Sequence, residues 1–522
     1  MSVALGFAPR LLPARLAVKA NFHRQSYGHA TIRVQTRTST NRSIATNTSE
    51  TVVESSLACT WLTPTPEQIT PDDILSSCPN PSSSHTRDYA RVLLVTPAFA
   101  RWTEAKSPFL EQWMNKFNNC NMQSSVGEHV YAVIAVVDRL PGGDKATAES
   151  EGLSMLFVRG DNIQGKPIAS RQIRSAEREE PTIKFSFQEG VASQEAICPH
   201  FHEVGLRLAN TIFINGKENT LFGTRWAYDP SAGKLGLKES VDLSLCSVTV
   251  NRRSFQKSLE LPLYPVGERR KVITSMGNIL RQIGKHADGE SDEPMPASSE
   301  LEKELPRYID EHNIADRRVS VWALIETSAE SPYSKAMHSR SDLAKSIQAG
   351  AKLHRVMSGG GGWGKKQGLL SLDPEISFEK TGIEGIVALS SVFSDNAQRA
   401  THEVIPAFEQ RMFMEDLSTL SQAAEPGDYV QFFASIEEDE PPKTQNTHPP
   451  VSEGSISYNF GVVSDAETLP SQTEQQRGLT VIPNHFGALS EKAITYLQPV
   501  DDVHKSRTKI DVPGSRLVLT FS

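Results

Sequence analysis

RVLLVT (Arg91–Thr96), VYAVIAVV (Val130–Val137) and LSMLFV (Leu153–Val158) are three short apolar runs rich in branched side chains. Their length and near-continuous hydrophobicity predict strands buried on both faces. Between the first two, Phe109, Leu110, Trp113, Met114 and Phe117 recur at i, i+4 spacing, which predicts an amphipathic helix. Pro141-Gly142-Gly143 ends the second strand with a turn. Strand, helix, strand, turn, strand describes a layered α/β lobe over a buried sheet.

Outward from this stretch the pattern becomes more β in character. Ile183, Phe185 and Phe187 alternate with polar residues, as a half-buried strand requires. Thr211–Ile214 and Thr220–Trp226 flank Asn215-Gly216-Lys217-Glu218-Asn219, a connection whose Asn-Gly start predicts a hairpin. Val241–Val250 predicts a further strand. Ser298 or Ser299 caps a predicted helix carrying Leu301 and Leu305, and Val319–Ile325, Ile383–Val392, Tyr429–Ile436, Ser455–Phe460 and Arg516–Phe521 predict strands. Glu437–Glu453 is acidic and proline-bearing, hence a surface loop. The class is α+β: two mixed α/β lobes with largely buried sheets, 89–290 and 291–522, joined around Arg269–Glu304. No repeat of solenoid length occurs.

The chain has 522 residues, 38% hydrophobic and 22% charged, enough for two or three soluble domains. No run of about eighteen uncharged apolar residues predicts a transmembrane segment. The net charge of -8 is unevenly spread. Residues 1–49 hold Arg10, Arg15, Lys19, Arg24, Arg33, Arg37 and Arg42 and no acid, leaving 47 basic against 62 acidic residues in the remainder. Arginines separated by Ser, Thr and apolar residues predict a disordered mitochondrial transit peptide over 1–48, although Pro9 and Pro13 weaken its helix and a plain basic tail is the alternative. A secretory signal would need a longer apolar core. Residues 49–88, rich in Ser, Thr and Pro, predict a flexible linker with the folded body starting near Tyr89. Five widely spaced cysteines without C-x-x-C predict reduced thiols. The acidic body argues against nucleic acid as a partner.

The least ordinary segment is SGGGGWGKKQGLLSLDP, Ser358–Pro374. Gly359, Gly360, Gly361 and Gly362 free the backbone to present N–H groups, Trp363 supplies an anchoring ring, and Lys365 and Lys366 bring two ammonium groups, together a candidate anion cradle. Gly359, Gly364 and Lys365 stand in G-x-x-x-x-G-K register, but Lys366 replaces the Ser or Thr that holds magnesium. Leu343–Met357 has helical spacing where the motif needs a strand, and Pro374 stops any helix afterwards. The competing reading is a tight turn from a helix into a strand, with Trp363 packed in a core.

Other candidates are weaker. Asp138 and Arg139, and Asp373, stand at strand ends where ligands bind in α/β sheets, and also where carboxylates cap turns. Asn278 could present an amide to a ligand or cap a helix. Cys198, His200 and His202 alternate as C-P-H-F-H, a set compatible with zinc but without a second cluster. Ser154 lies in no G-x-S-x-G elbow, and His338 and His354 have no neighbouring Cys or Asp that would make a triad.

Four segments resemble the FIST domain, a two-part intracellular sensory module also found behind an F-box in a eukaryotic ubiquitin-ligase receptor. They are Arg91–Leu156, "VITSMGNILRQI" with "PASSELEKEL", "GLLSLDPEISFEKTGIEGIVAL" (Gly368–Leu389), and "YVQFFASI". No F-box pattern precedes them, and GGGGWGKK has no place in the family pattern. In texture the chain is similar to fungal mitochondrial proteins of this type. The resemblance implies a small-molecule or protein-partner binding module with signalling roles and supplies no catalytic residue or cofactor. An enzyme holding a phosphorylated substrate at the Gly-rich loop, and an assembly or gene-expression factor for respiration, are the competing expectations.

Overall fold

In the computed structural model, strands Tyr89–Val95 and His129–Val136 lie side by side and parallel, Arg91 opposite Ala132 and Val95 opposite Val136. A parallel pair needs a crossover, and Pro108–Lys116 is the helix of that connection. It lays Phe109, Leu110, Trp113 and Met114 on one face of the sheet, against Trp61, Phe157 and Trp226. Each such side chain contributes on the order of 1.5–3 kcal/mol by leaving water. The structure describes residues 57–79, 88–104, 107–117, 129–142, 149–168, 180–189, 201–252, 255–287, 293–312, 314, 319–327, 339–359, 368–375, 385–394, 422–436, 455–464, 478–500 and 504–521. The basic segment 1–48 lies outside them.

The two strands belong to a fourteen-stranded mixed sheet. Its main path runs Thr480–Pro483, Ala58–Thr63, Glu149–Arg159, Tyr89–Val95, His129–Val136, Leu221–Asp229, Lys234–Arg252, Thr182–Glu189, Phe201–Arg207, Ile494–Pro499, Lys505–Ile510. A four-stranded sheet (Phe255–Glu260, Arg516–Phe521, Ile456–Val462, His485–Ser490) covers its other face. Phe185 stacks on Phe460 at 5.1 Å between ring centres, and Phe187 on Phe521 at 5.4 Å. Alternation in Ile183, Phe185 and Phe187 thus reports this inter-sheet layer.

A second body is a six-stranded antiparallel barrel. Tyr264–Met276, Tyr429–Ile436, Val319–Glu326, Lys352–Gly359, Leu370–Leu372 and Ile279–Gly284 follow one another, and the last pairs back with the first. Helix Ser298–Glu311 packs on it through Leu301. The Glu300 carboxylate accepts the Glu268 N–H at 2.9 Å and pairs with Arg270 at 2.8 Å, both side chains being buried. The core is therefore mixed α/β and dominated by sheet. The sheets cross the division expected at residue 290: Tyr264–Met276 and Ile279–Gly284 close the barrel, while strands after 455 complete the sandwich. Among the described residues no helix is long and apolar enough to cross a membrane.

Three sequence expectations need correction. The linker is partly folded, because Ala58–Thr63 (ACTWLT) is a strand buried at all six positions between Glu149–Arg159 and Thr480–Pro483. Pro71, read as a breaker, opens helix Pro71–Ser76, where its missing N–H costs nothing. Thr211–Ile214 is not half of a hairpin: Ile212–Asn215 is one helical turn, closed by Gly216 at φ 71°. Asn-Gly serves a left-handed helix end as readily as a hairpin. Ile383–Val392 is not a strand either, since only Val387–Ala388 is extended and Leu389–Val392 is a helical turn. Leu389 and Phe393 fill the space over Gly223 at 3.2–3.3 Å from where its Cβ would stand.

Candidate functional site

Strand Lys352–Gly359 runs directly into the Gly-rich segment, and Leu370–Leu372 returns antiparallel beside it, Gly359 opposite Leu370. The expected helix is shorter, Arg340–Gln348, so a strand does precede the glycines. It turns back as a β-connection, however, which removes the strand–loop–helix geometry a phosphate loop needs. It also replaces the expected helix-to-strand turn by a strand-to-strand one. Gly359 is required by packing: a Cβ there would lie 2.9 Å from the Leu369 carbonyl oxygen. Gly368, at φ 83°, would likewise bring a Cβ to 2.7 Å from Pro296 Cβ. Gly360, Gly361, Gly362, Trp363, Lys365 and Lys366 lie outside the described residues.

Asn278 stands next to this connection, although not as a helix cap. With Gly277 at φ 59° it turns Tyr264–Met276 into Ile279–Gly284. Its Nδ2 donates to the Leu372 carbonyl at 2.8 Å, and its own carbonyl accepts the Leu372 N–H at 2.8 Å. Both halves of the residue therefore lock two hairpins together. Asp138 belongs to the long sheet instead. Its Oδ2 accepts the Glu491 N–H at 2.8 Å, and burial pushes its carboxyl up to about 6 against that bond. Arg139 pairs with Glu151 and bridges to Leu489. The structure gives both residues turn-fixing roles.

His354 and Asp373, separate in sequence, are brought together by the same hairpin. His354 Nδ1 lies 2.8 Å from the Asp373 carbonyl oxygen. That oxygen only accepts, so the ring proton sits on Nδ1, and Nε2 is a buried lone pair without a hydrogen-bond partner among the described residues. Burial lowers the imidazole to about 4, which leaves it neutral at physiological pH. The Asp373 carboxylate binds Lys509, whose ammonium also reaches Glu375 at 3.2 Å and Asp511 at 3.7 Å. Burial alone would lower Lys509; its hydrogen bond to Asp373 and the three acids outweigh burial and raise it. Arg207 Nη2 reaches Glu375 at 2.7 Å, and Trp322 Nε1 donates to Asp511 at 2.7 Å. This ionic seam ties the barrel to the long sheet.

His202 of the C-P-H-F-H set points inward, its Nδ1 2.8 Å from the Tyr496 hydroxyl and its ring edge-on to Phe255. Cys198 and His200 lie outside the described residues, among which no group of three His, Cys, Asp or Glu is placed to hold a metal ion. Cys59, Cys78 and Cys246 are buried, and burial pushes each thiol up to about 12, so they are protonated and unreactive at neutral pH.

Residues the sequence did not single out stand closest to the Gly-rich connection. Ser358, Ser371, Ile279 and Met276 form one row across four barrel strands. Met357 is the bulged residue beside Ser358, and Met276 and Met357 are each 61% exposed. Two large flexible apolar side chains thus stand on the barrel's outer wall, about 14 Å apart from the strand spacing. No family model matches the chain, and no curated protein or solved structure is significantly similar to it.

Proposed function

We propose that this chain is a non-enzymatic, FIST-like ligand- or partner-binding protein that acts in mitochondria and binds through the barrel wall beside Gly359. The observation that carries the reading is the exposure of Met276 and Met357 on neighbouring rungs, flanking half-buried Ile279. Methionine adapts to varied apolar partners, and apolar groups of this size left in water mark contact surfaces. The buried thiols, the neutral His354 and the ion-paired Lys509 are held in states suited to packing, which favours binding over catalysis. The antiparallel course of the Gly-rich connection weighs against a phosphorylated substrate held in a phosphate loop.

Photo-crosslinking in isolated mitochondria tests this. A photoreactive residue at position 357 of the full chain should give adducts at several times the yield of the same residue at exposed Ser231, and Met276→Ser should lower that yield. Equal yields at 357 and 231, or a yield indifferent to Met276→Ser, would falsify the reading.

A further inference from the structure

The helical turn Ile212–Asn215 carries the most exposed large apolar group among the described residues. Phe213 is 98% exposed, with Ile212 and Ile214 at 38% and 37% on either side of it. Three consecutive apolar side chains on a tip are unfavourable in water and form no part of the core or of the barrel surface discussed above.

The backbone beneath them is unusually well provided. Ile212 N–H donates to Asn210 Oδ1 at 3.1 Å, Ile214 and Asn215 N–H to the Thr211 carbonyl at 2.8 and 3.0 Å. Gly216 N–H donates to the Ile212 carbonyl at 3.1 Å and Lys217 N–H to Asn215 Oδ1 at 3.0 Å. The Ile214 carbonyl, pointing away from the turn, accepts both Nε and Nη2 of Arg101 at 3.2 and 2.9 Å. A turn in water needs none of this, because water would satisfy the same groups. A turn entering an apolar medium needs all of it, since each unsatisfied polar group there is costly.

We infer that the Ile212–Ile214 turn is an insertion tip for the interfacial layer of a lipid bilayer. The tip is convex, and one Phe offers only ~150–250 Å². A stable protein interface takes about 800 Å² per partner. Insertion into lipid requires no shape-matched partner and uses the tip as it stands. Arg101 and Lys217 flank it, with Glu218 next in the chain, so long basic side chains are in place to stay at the headgroups while the rings go deeper. The contact is peripheral and reversible, and it is independent of the barrel-wall reading.

Sedimentation of the full chain with phosphatidylcholine vesicles, and with vesicles containing about a quarter phosphatidylserine, tests it. Wild type should pellet with vesicles. Phe213→Ser should lower the bound fraction about ten-fold or more, the loss expected when one buried Phe is removed. Phe213→Trp should bind as wild type and gain quenching by bromine on the acyl chains relative to wild type, whose described tryptophans are largely buried. Both variants should melt with wild type, because the side chain faces solvent. Wild type remaining in the supernatant with both compositions overturns the inference and leaves a protein groove as the occupant. Equal pelleting of Phe213→Ser overturns it too, since binding would then be purely ionic.

Discussion

His354 makes the stability of this protein measurably dependent on acid. Its folded value of about 4 lies below the unfolded 6.5, because burial disfavours the imidazolium. Between those two values the unfolded chain binds a proton that the native state refuses. The stabilisation is therefore complete above pH 6.5 and is lost as pH falls towards 4. At 1.36 kcal/mol per pH unit, the window corresponds to about 3 kcal/mol. Asp138 works in the opposite sense over nearly the same range: its folded carboxyl, pushed up by burial to about 6 from 3.8, takes up a proton before the unfolded chain does. Wild type alone will thus hide both effects. The informative quantity is the difference in urea-unfolding free energy between wild type and His354→Leu, measured from neutral pH to about pH 4. Packing losses in the variant are the same at every pH, and Asp138 cancels in the difference. Wild type should lose about 3 kcal/mol relative to the variant on acidification. A difference that stays flat would show that the imidazole protonates freely in the folded protein and would refute its placement as a buried neutral group.

Two further outcomes are expected. Gly267→Ala should destabilise the barrel by about 2 kcal/mol or more, since Gly267 has φ 76° and a Cβ would meet Glu300 Cγ at 2.9 Å; thermal melting checks this, and a wild-type midpoint would contradict the Glu300 clamp. Residues 1–49 fused to a fluorescent reporter should deliver it to mitochondria, their charge being wholly basic; a reporter left in the cytosol removes the localisation proposal.

What the sequence disclosed and what it concealed divide along the range of the interactions. Arg91–Thr96, Val130–Val137 and the helix with Trp113 were legible because their hydrophobic period is a local property. ACTWLT was not, since its three polar-capable threonines and prolines downstream mimic a linker. Thr60 becomes tolerable inside only through a distant partner set: its hydroxyl lies 2.8 Å from Ser154 Oγ and donates to the His485 carbonyl at 2.9 Å. Barrel closure between segments on both sides of residue 290 leaves no trace in any local window either. At the candidate site, Gly359 and Asn278 were singled out as neighbours in chemistry and proved neighbours in space. Their roles differ from those expected because register, which no single strand specifies, decides what an amide faces. Asp373 and His354 were each visible, but the hairpin that joins them was read as helix. Met276, Met357 and Phe213 carry no periodic signal; the triplet Ile212-Phe213-Ile214 directly before Asn-Gly was the one available clue.

The sandwich has a consequence for how the protein is made. Phe185 and Phe187 emerge early from a ribosome, yet the rings that cover them, Phe460, Phe486 and Phe521, arrive only with the last strands. Trp61's strand likewise waits for Thr480–Pro483 to protect its outer edge. Throughout most of translation the nascent chain therefore displays an aromatic face and an unpaired strand edge, the two features that invite aggregation. Such a polypeptide gains from being kept unfolded by chaperones until synthesis ends, a state that passage through an import channel would also demand. Closure of the molecule is then a single late event, slow because its contacts span hundreds of residues.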